Sequence, residues 1–210
     1  MPFAELVKLI IQGIYMLSPY CWADSYLKKR EFRFQQGSEE QKKWRSWRLL
    51  ISEKYIVYWL FAAIALFILT PILPQWTAGL LLLRALGIIN KELGVILFGT
   101  CKITEGTMVA ASGRVIVLGL VNFLTGMFLF VSAYALICSF EAIPAYTERS
   151  LPLWALIQGM SVQFTLSNAF PPADLLTWFI TLFHSGFCFM FGTIVISMFV
   201  SLLNIQPLHK

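Results

Sequence analysis

The sequence predicts an all-helical membrane protein. About four transmembrane helices, a short re-entrant helix and an N-terminal amphipathic helix account for its length. Three observations carry that prediction. Only 13% of the 210 residues are charged and 58% are hydrophobic, whereas a soluble domain carries about 25% charge. Several apolar runs are long enough to cross a bilayer. One apolar stretch near the C-terminus is too short to cross and ends in a polar break, with another long apolar run behind it.

Residues 3–18, FAELVKLIIQGIYMLS, carry Glu5, Lys8 and Gln12 at helical spacing, which gathers the polar groups on one face. Pro19 closes the stretch. The expectation is a helix lying on the membrane surface, with a true span as the alternative. MPFAELVKLI lacks a basic n-region and a small-residue cleavage site, so no cleavable signal peptide is expected. Residues 23–54 hold most of the charge. Lys28, Lys29, Arg30, Arg33, Lys42, Lys43, Arg45, Arg48 and Lys54 face Asp24, Glu31, Glu39, Glu40 and Glu53. Lipid headgroups or a protein partner would suit such a cluster; cytoplasmic retention by the positive-inside rule explains it without either. Ser38 and Gln41 form a capping-box pattern that starts a helix at Ser38. Residues 1–54 thus read as one basic, helical, interfacial segment, with no role in nucleic-acid binding.

Residues 55–76 form the first span, with Tyr55, Tyr58 and Trp59 at one interface and Trp76 at the other. Pro71 and Pro74 mark the turn. Residues 78–99 are long enough to span but contain Arg84, Asn90, Lys91 and Glu92. Such groups must face protein or water. Arg84 and Lys91 share a face, so this helix is either sensor-like or pore-coupled, or a span packed in the bundle with Lys91 and Glu92 paired to neighbours. With the polar connection 100–114 the region 55–113 makes a peripheral two-span hairpin and linker. Residues 115–139 are the third span, 140–150 a loop, and 175–203 the last span. Keeping Lys102, Arg114 and Lys210 on the same side as the basic segment puts both termini in the cytoplasm and the 140–150 loop outside.

Cys21, Cys101, Cys138 and Cys188 show no paired or metal-binding spacing and read as small buried residues. No cofactor motif or metal set is present in the sequence. Ser167 and His184 are the only nucleophile and base worth pairing, and no acidic residue is placed to orient the histidine, so no enzymatic activity is expected.

The C-terminal part has a distinctive order. A span runs outward, a loop follows, and the apolar segment 151–164, LPLWALIQGMSVQF, is too short to cross. A polar break and a long inward span complete the unit. Irregular backbone at membrane depth is tolerated only when buried in protein or lining water. Residues 114–204 resemble the two-helix pore module of the potassium channel superfamily, particularly small bacterial ion-channel-like membrane proteins. SVQFTLSNAFPPAD stands where that module has its filter. Thr165 matches the filter threonine and Leu166 the valine, while Ser167, Asn168 and Ala169 replace Gly-Tyr-Gly and Phe170 replaces the usual acidic residue. The resemblance implies a pore helix over about 152–164, a constriction at 165–169 and an inner helix over 175–203. It also implies a bacterial inner membrane and a homo-oligomer, most simply a tetramer, conducting cations and surrounded by lipid.

The missing glycines change the expectation. A potassium filter aligns rings of carbonyls by means of left-handed backbone that glycine adopts freely. Forcing Ser167 and Ala169 into it would cost on the order of 1–3 kcal/mol each. A different backbone is therefore expected, with the side chains of Thr165, Ser167 and Asn168 lining a wider, hydrated path of weak selectivity among monovalent cations. Glu141, Glu148 and Asp174 would make the outer mouth negative, or are ordinary solvated charges. Gly186 and Gly192 would permit a hinge in the inner helix, or allow close packing. His184 would sense pH from a wet cavity, or be hydrogen-bonded inside the bundle. The rival reading is a non-conducting channel-like scaffold or accessory subunit that uses residues 1–54 to bind partners or lipid.

Overall fold

The computed structural model describes residues 3–16, 19–98, 108–144 and 152–203. Its elements are helical: α1 (Phe3–Met16), α2 (Pro19–Glu31), α3 (Glu39–Ile68), α4 (Thr77–Phe98), α5 (Met108–Ile137), α6 (Leu153–Thr165) and α7 (Leu175–Leu203), with a 3-10 turn at Thr70–Ile72. Among the described residues three helices are long and apolar enough to cross a membrane. They are Glu39–Ile68, Ile116–Ile137 and Leu175–Ile194. The all-helical membrane class therefore stands, with three such helices against the four spans expected. The helix that falls short is α4. It has the length, at 22 residues, but Arg84, Lys91 and Glu92 interrupt its apolar surface.

Helix α3 starts where the sequence said it would. Ser38 Oγ accepts the Gln41 amide at 3.2 Å, and Gln41 Oε1 accepts the Gly37 amide at 2.8 Å. The basic segment and the first span are one continuous helix of 30 residues, so the boundary expected at residue 54 falls inside it. Its end comes earlier than expected, at Ile68 rather than at Trp76. Pro71 has no amide to donate and bars Thr70 from continuing the helix; Thr70 Oγ1 then takes the Phe67 carbonyl at 2.7 Å. The start of α5 also differs: Met108 to Arg114, read as connection, are helical. Met, Val and two alanines there have no helix-breaking character despite their polar neighbours.

The core is built on α5. Helices α3, α4, α6 and α7 all pack against it, and Met127, Leu129, Phe130, Val131, Ala133 and Tyr134 are buried along its length. Two glycines set the closest crossings. A Cβ on Gly126 would lie 2.2 Å from the Phe187 ring of α7. A Cβ on Gly159 of α6 would lie 2.2 Å from Val131 Cγ2. Small residues at helix contacts are how apolar helices gain dispersion contact when lipid tails offer no hydrophobic drive. Two hydroxyls on α5 return their hydrogen bonds to the preceding turn: Thr125 to the Val121 carbonyl at 2.7 Å and Ser132 to that of Phe128 at 2.8 Å.

The charges of α4 lie against groups of the bundle, although the buried Arg84 Nε has no hydrogen-bond partner. The Arg84 guanidinium lies 4.7 Å from the Trp59 ring centre and 5.4 Å from that of Tyr55, both on α3. Lys91 Nζ lies 5.0 Å from the Tyr20 ring. Glu92 accepts the Asn122 amide of α5 at 2.8 Å. This is the packed alternative for the helix, with aromatic faces acting as the counter-charge. Helix α1 packs against α4, and Asn90 Nδ2 donates to the Ile11 carbonyl at 2.9 Å. Its 14 residues span about 21 Å, too little for a bilayer core of about 30 Å.

Two glycines on one helix separate packing from propensity. Gly126→Leu should destabilise the protein by about 1–3 kcal/mol through overpacking against Phe187. Gly119, whose added Cβ meets nothing within 4 Å, should tolerate alanine and gain up to about 1 kcal/mol in helix propensity. Thermal unfolding in detergent micelles, run on both variants, checks the opposite signs.

Candidate functional site

The geometry around α6 follows from four contacts. Trp154, near its start, lies 5.7 Å from Phe140, ring centre to ring centre, just past the end of α5. Gly159 faces Val131. Gln163 Nε2 donates to the Phe123 carbonyl at 3.1 Å, and Phe164 meets the Phe123 ring at 6.5 Å. Helix α6 therefore runs antiparallel to α5 and stops beside Phe123, about 24 Å down the helix from Ser139. The chain then climbs back to where it came from. Ala173 donates to the Ser139 carbonyl at 3.0 Å and Glu141 to that of Pro171 at 2.9 Å, and Phe140 and Pro172 form an antiparallel bridge. The short helix thus enters and leaves at the α5 C-terminal end.

Thr165, Leu166, Ser167, Asn168 and Ala169 form the turn at the tip of this excursion, and all five are exposed. Leu166 ends α6 in the left-handed region, at φ 55°. Ser167, Asn168 and Ala169 are not among the residues of positive φ, so the backbone does not take up the left-handed pattern of a glycine filter there. The Thr165 hydroxyl donates to the Ser161 carbonyl at 2.6 Å and meets the Ser167 hydroxyl at 2.6 Å. Phe170 is 8% exposed and packs into the core.

A residue that the sequence does not single out holds the first part of the return segment. Gln158, fully buried in α6, accepts the amides of Ala169 at 2.9 Å and Phe170 at 3.0 Å through Oε1, and donates from Nε2 to Asn168 Oδ1 at 2.8 Å. A second glutamine ties the tip of α6 to the bundle. Because Gln163 Nε2 donates to a carbonyl, its Oε1 must accept, and His184 Nε2 lies 2.8 Å from it. His184 Nε2 therefore carries a proton, and Nδ1 accepts from the Tyr134 hydroxyl at 2.9 Å. Cys188 Sγ also points to Gln163 Oε1, at 3.4 Å. His184 is fully buried and stacked on Phe130 at 4.2 Å. It sits among hydrogen-bonded and aromatic neighbours rather than at a wet surface. The signal that would have found Gln158 and Gln163 is two amides in a 13-residue apolar helix.

Of the acidic residues expected at an outer mouth, Glu141 and Asp174 are brought to the same end by the 139–141 and 171–173 pairing, and both are exposed. Glu148 lies outside the described residues, as do Lys102 and Lys210. Asp174 also caps α7: its Oδ1 accepts the Thr177 amide at 2.7 Å, and the Thr177 hydroxyl accepts the Ser139 amide at 2.9 Å. Hydrogen bonds from Thr177 hold the Asp174 carboxyl below its ordinary range. Gly186 and Gly192 are exposed positions on α7, which is helical without interruption across them.

The basic cluster lies on α2 and α3, folded into a hairpin about Gly37 at φ 85°. Arg48 joins the two helices through Glu31 at 2.9 Å and Asp24 at 3.8 Å. Lys28 pairs with Asp24 at 3.1 Å and Lys42 with Glu39 at 2.7 Å. Arg30 packs on the Tyr26 and Trp44 rings. Lys29, Arg33, Lys43 and Arg45 are exposed. Part of the cluster therefore has a structural task and part is left to solvent or lipid. Among the described residues no group of His, Cys, Asp and Glu could hold a metal ion.

No family model, curated protein or solved structure matches this chain.

Two outcomes are expected. Gln158→Leu leaves the Ala169 and Phe170 amides without an acceptor, and should cost about 2 kcal/mol or more in unfolding free energy. For Asp174 the folded pKa lies below the ordinary value of 3.8. Its contribution is therefore full above that value and lost as pH falls through the depressed one. Hydrogen exchange of the first-turn amides of α7 should show protection that disappears on acidification, and that is missing at every pH in Asp174→Ala.

Proposed function

We propose that this chain is the subunit of a homo-oligomeric, cation channel-like membrane protein, with the turn Thr165–Ala169 at the narrowest part of its path. The observation that supports the reading most is the excursion of α6. An apolar helix of 13 residues descends beside α5, exposes a polar turn and returns to its starting end. Backbone of that kind fits a bilayer only where it is buried in protein or faces water. Gln158 and the 139–141 pairing satisfy the return strand from within the subunit, while the hydroxyls of Thr165 and Ser167 remain on its surface. Several copies placed around an axis would turn those hydroxyls toward a shared aqueous path. In this reading α4 also crosses the bilayer, both termini are cytoplasmic, and the four-subunit arrangement follows the potassium channel pore module that residues 114–204 resemble.

Selectivity follows from the backbone. With φ positive only at Leu166 in the turn, carbonyls do not line up as a dehydrating cage. Side-chain hydroxyls and the Asn168 amide would line a path in which the ion keeps part of its water. Glu141 and Asp174 near the outer end would raise the local cation concentration. Weak preference between potassium and sodium is the consequence.

A second reading has its own support. The Thr165 and Ser167 hydroxyls bond each other at 2.6 Å, and the exposed Lys29, Arg33, Lys43 and Arg45 offer a basic surface. A non-conducting scaffold that binds lipid or a partner through residues 1–54 would have both.

Single-channel recording of the purified oligomer in a planar bilayer, under a potassium–sodium gradient, tests the proposal. Wild type should conduct with a reversal potential near zero, and Ser167→Trp should abolish the current. A correctly assembled oligomer that stays silent across voltage and pH would favour the scaffold, and strong potassium selectivity would refute the backbone argument.

A further inference from the structure

A crevice of about 340 Å³ lies between α1, α4 and α7. Its walls include Ile10 and Ile14 of α1, Leu86 of α4, and Phe183, Gly186 and Met190 of α7. Three features distinguish it from a packing defect. The wall formed by α7 falls inside the apolar segment Leu175–Ile194 that is able to cross a membrane, so the crevice sits at the depth of hydrocarbon. Gly186 widens it: a Cβ at that position would meet nothing within 4 Å. Helix α1 forms one wall of it, tied to α4 by the hydrogen bond from Asn90 to the Ile11 carbonyl at 2.9 Å.

We infer that this crevice holds one acyl chain of a membrane phospholipid, clasped against α7 by α1. Space lined by apolar atoms gives water no hydrogen-bond partners, and left empty it forfeits dispersion contacts on every wall. At membrane depth the neighbouring solvent is acyl chain, which supplies those contacts without a desolvation cost. The volume lies within the range of about 300–1,000 Å³ typical of small-molecule sites. Among the described lining residues Asn90 is the one polar side chain and none is a cation. A free fatty acid would therefore have to leave its carboxylate unpaired or hold it outside. A phospholipid keeps its headgroup in the interface and sends only a chain inward. The inference rests on membrane insertion and not on ion conduction. It gives α1 a task, closing a lipid site, and it assigns Gly186 to a binding wall instead of a hinge.

The test uses the full-length protein in bilayers containing a phosphatidylcholine with a photoactivatable diazirine in the middle of one acyl chain. After illumination, labelled peptides should include residues 10–14, 86–90 and 183–190. Gly186→Leu places a better helix former into the open space, and labelling at these segments should fall about tenfold, as losing the burial of two methylenes predicts. Labelling elsewhere on the lipid-facing surface should not change. The wild-type map decides the matter even if the variant fails to fold, since absence of label from these segments overturns the inference. So would equal labelling in a folded Gly186→Leu, or labelling by a diazirine fatty acid and not by the phospholipid. Benzophenone placed at Ile14 that cross-links to a second copy of the chain would assign the crevice to a subunit contact and overturn it as well.

Discussion

Gln158 is the group on which the C-terminal half depends. A chain that descends beside α5 and turns back has backbone amides that no helix satisfies. In apolar surroundings each unpaired amide costs on the order of several kcal/mol. Gln158 answers this with one side chain: its oxygen takes the amides of Ala169 and Phe170, and its nitrogen binds Asn168. The Ser139–Ala173 and Glu141–Pro171 bonds close the other end of the return. Gly159, one residue along, lets α6 pack closely on Val131 of α5. Close packing and polar satisfaction are therefore parts of one arrangement.

The same rule governs α4. Arg84, Lys91 and Glu92 would be costly in hydrocarbon, yet each is placed against a group that lowers the cost. Trp59 and Tyr55 offer ring faces to Arg84, Tyr20 offers one to Lys91, and Asn122 donates to Glu92. These partners come from α2, α3 and α5, so the charges of α4 bind the N-terminal hairpin to the bundle. Arg48 extends the linkage through Glu31 and Asp24 to the far side of the hairpin. Such networks give geometric specificity more than stability, because desolvation offsets much of their attraction.

His184 shows how environment overrides residue type. A histidine in an apolar helix suggests a titrating group. Here both ring nitrogens are committed, one to Tyr134 and one to Gln163, and the ring stacks on Phe130. Gln163 fixes the tautomer, because its own amide is oriented by the Phe123 carbonyl. The residue behaves as a core cross-link between α5, α6 and α7.

Local signals were legible where they are short-ranged. The Ser38 cap, the proline turn after α3, the length of α6 and the bounds of α7 all follow from residues within a few positions of each other. The end of α3 and the start of α5 were misjudged by several residues, since composition blurs boundaries that individual amides decide. Gln158, Gln163 and Tyr134 were invisible as a set. Their partners lie 10, 40 and 50 residues away, and spacing along one helix carries no trace of such distant contacts. By itself the sequence determined that long apolar helices follow a basic segment and that a short apolar helix ends in a polar turn, because hydropathy and length act on each segment alone. Only the tertiary structure decided that the short helix returns to its own end and what holds it there, because satisfying a buried amide depends on which side chain stands opposite.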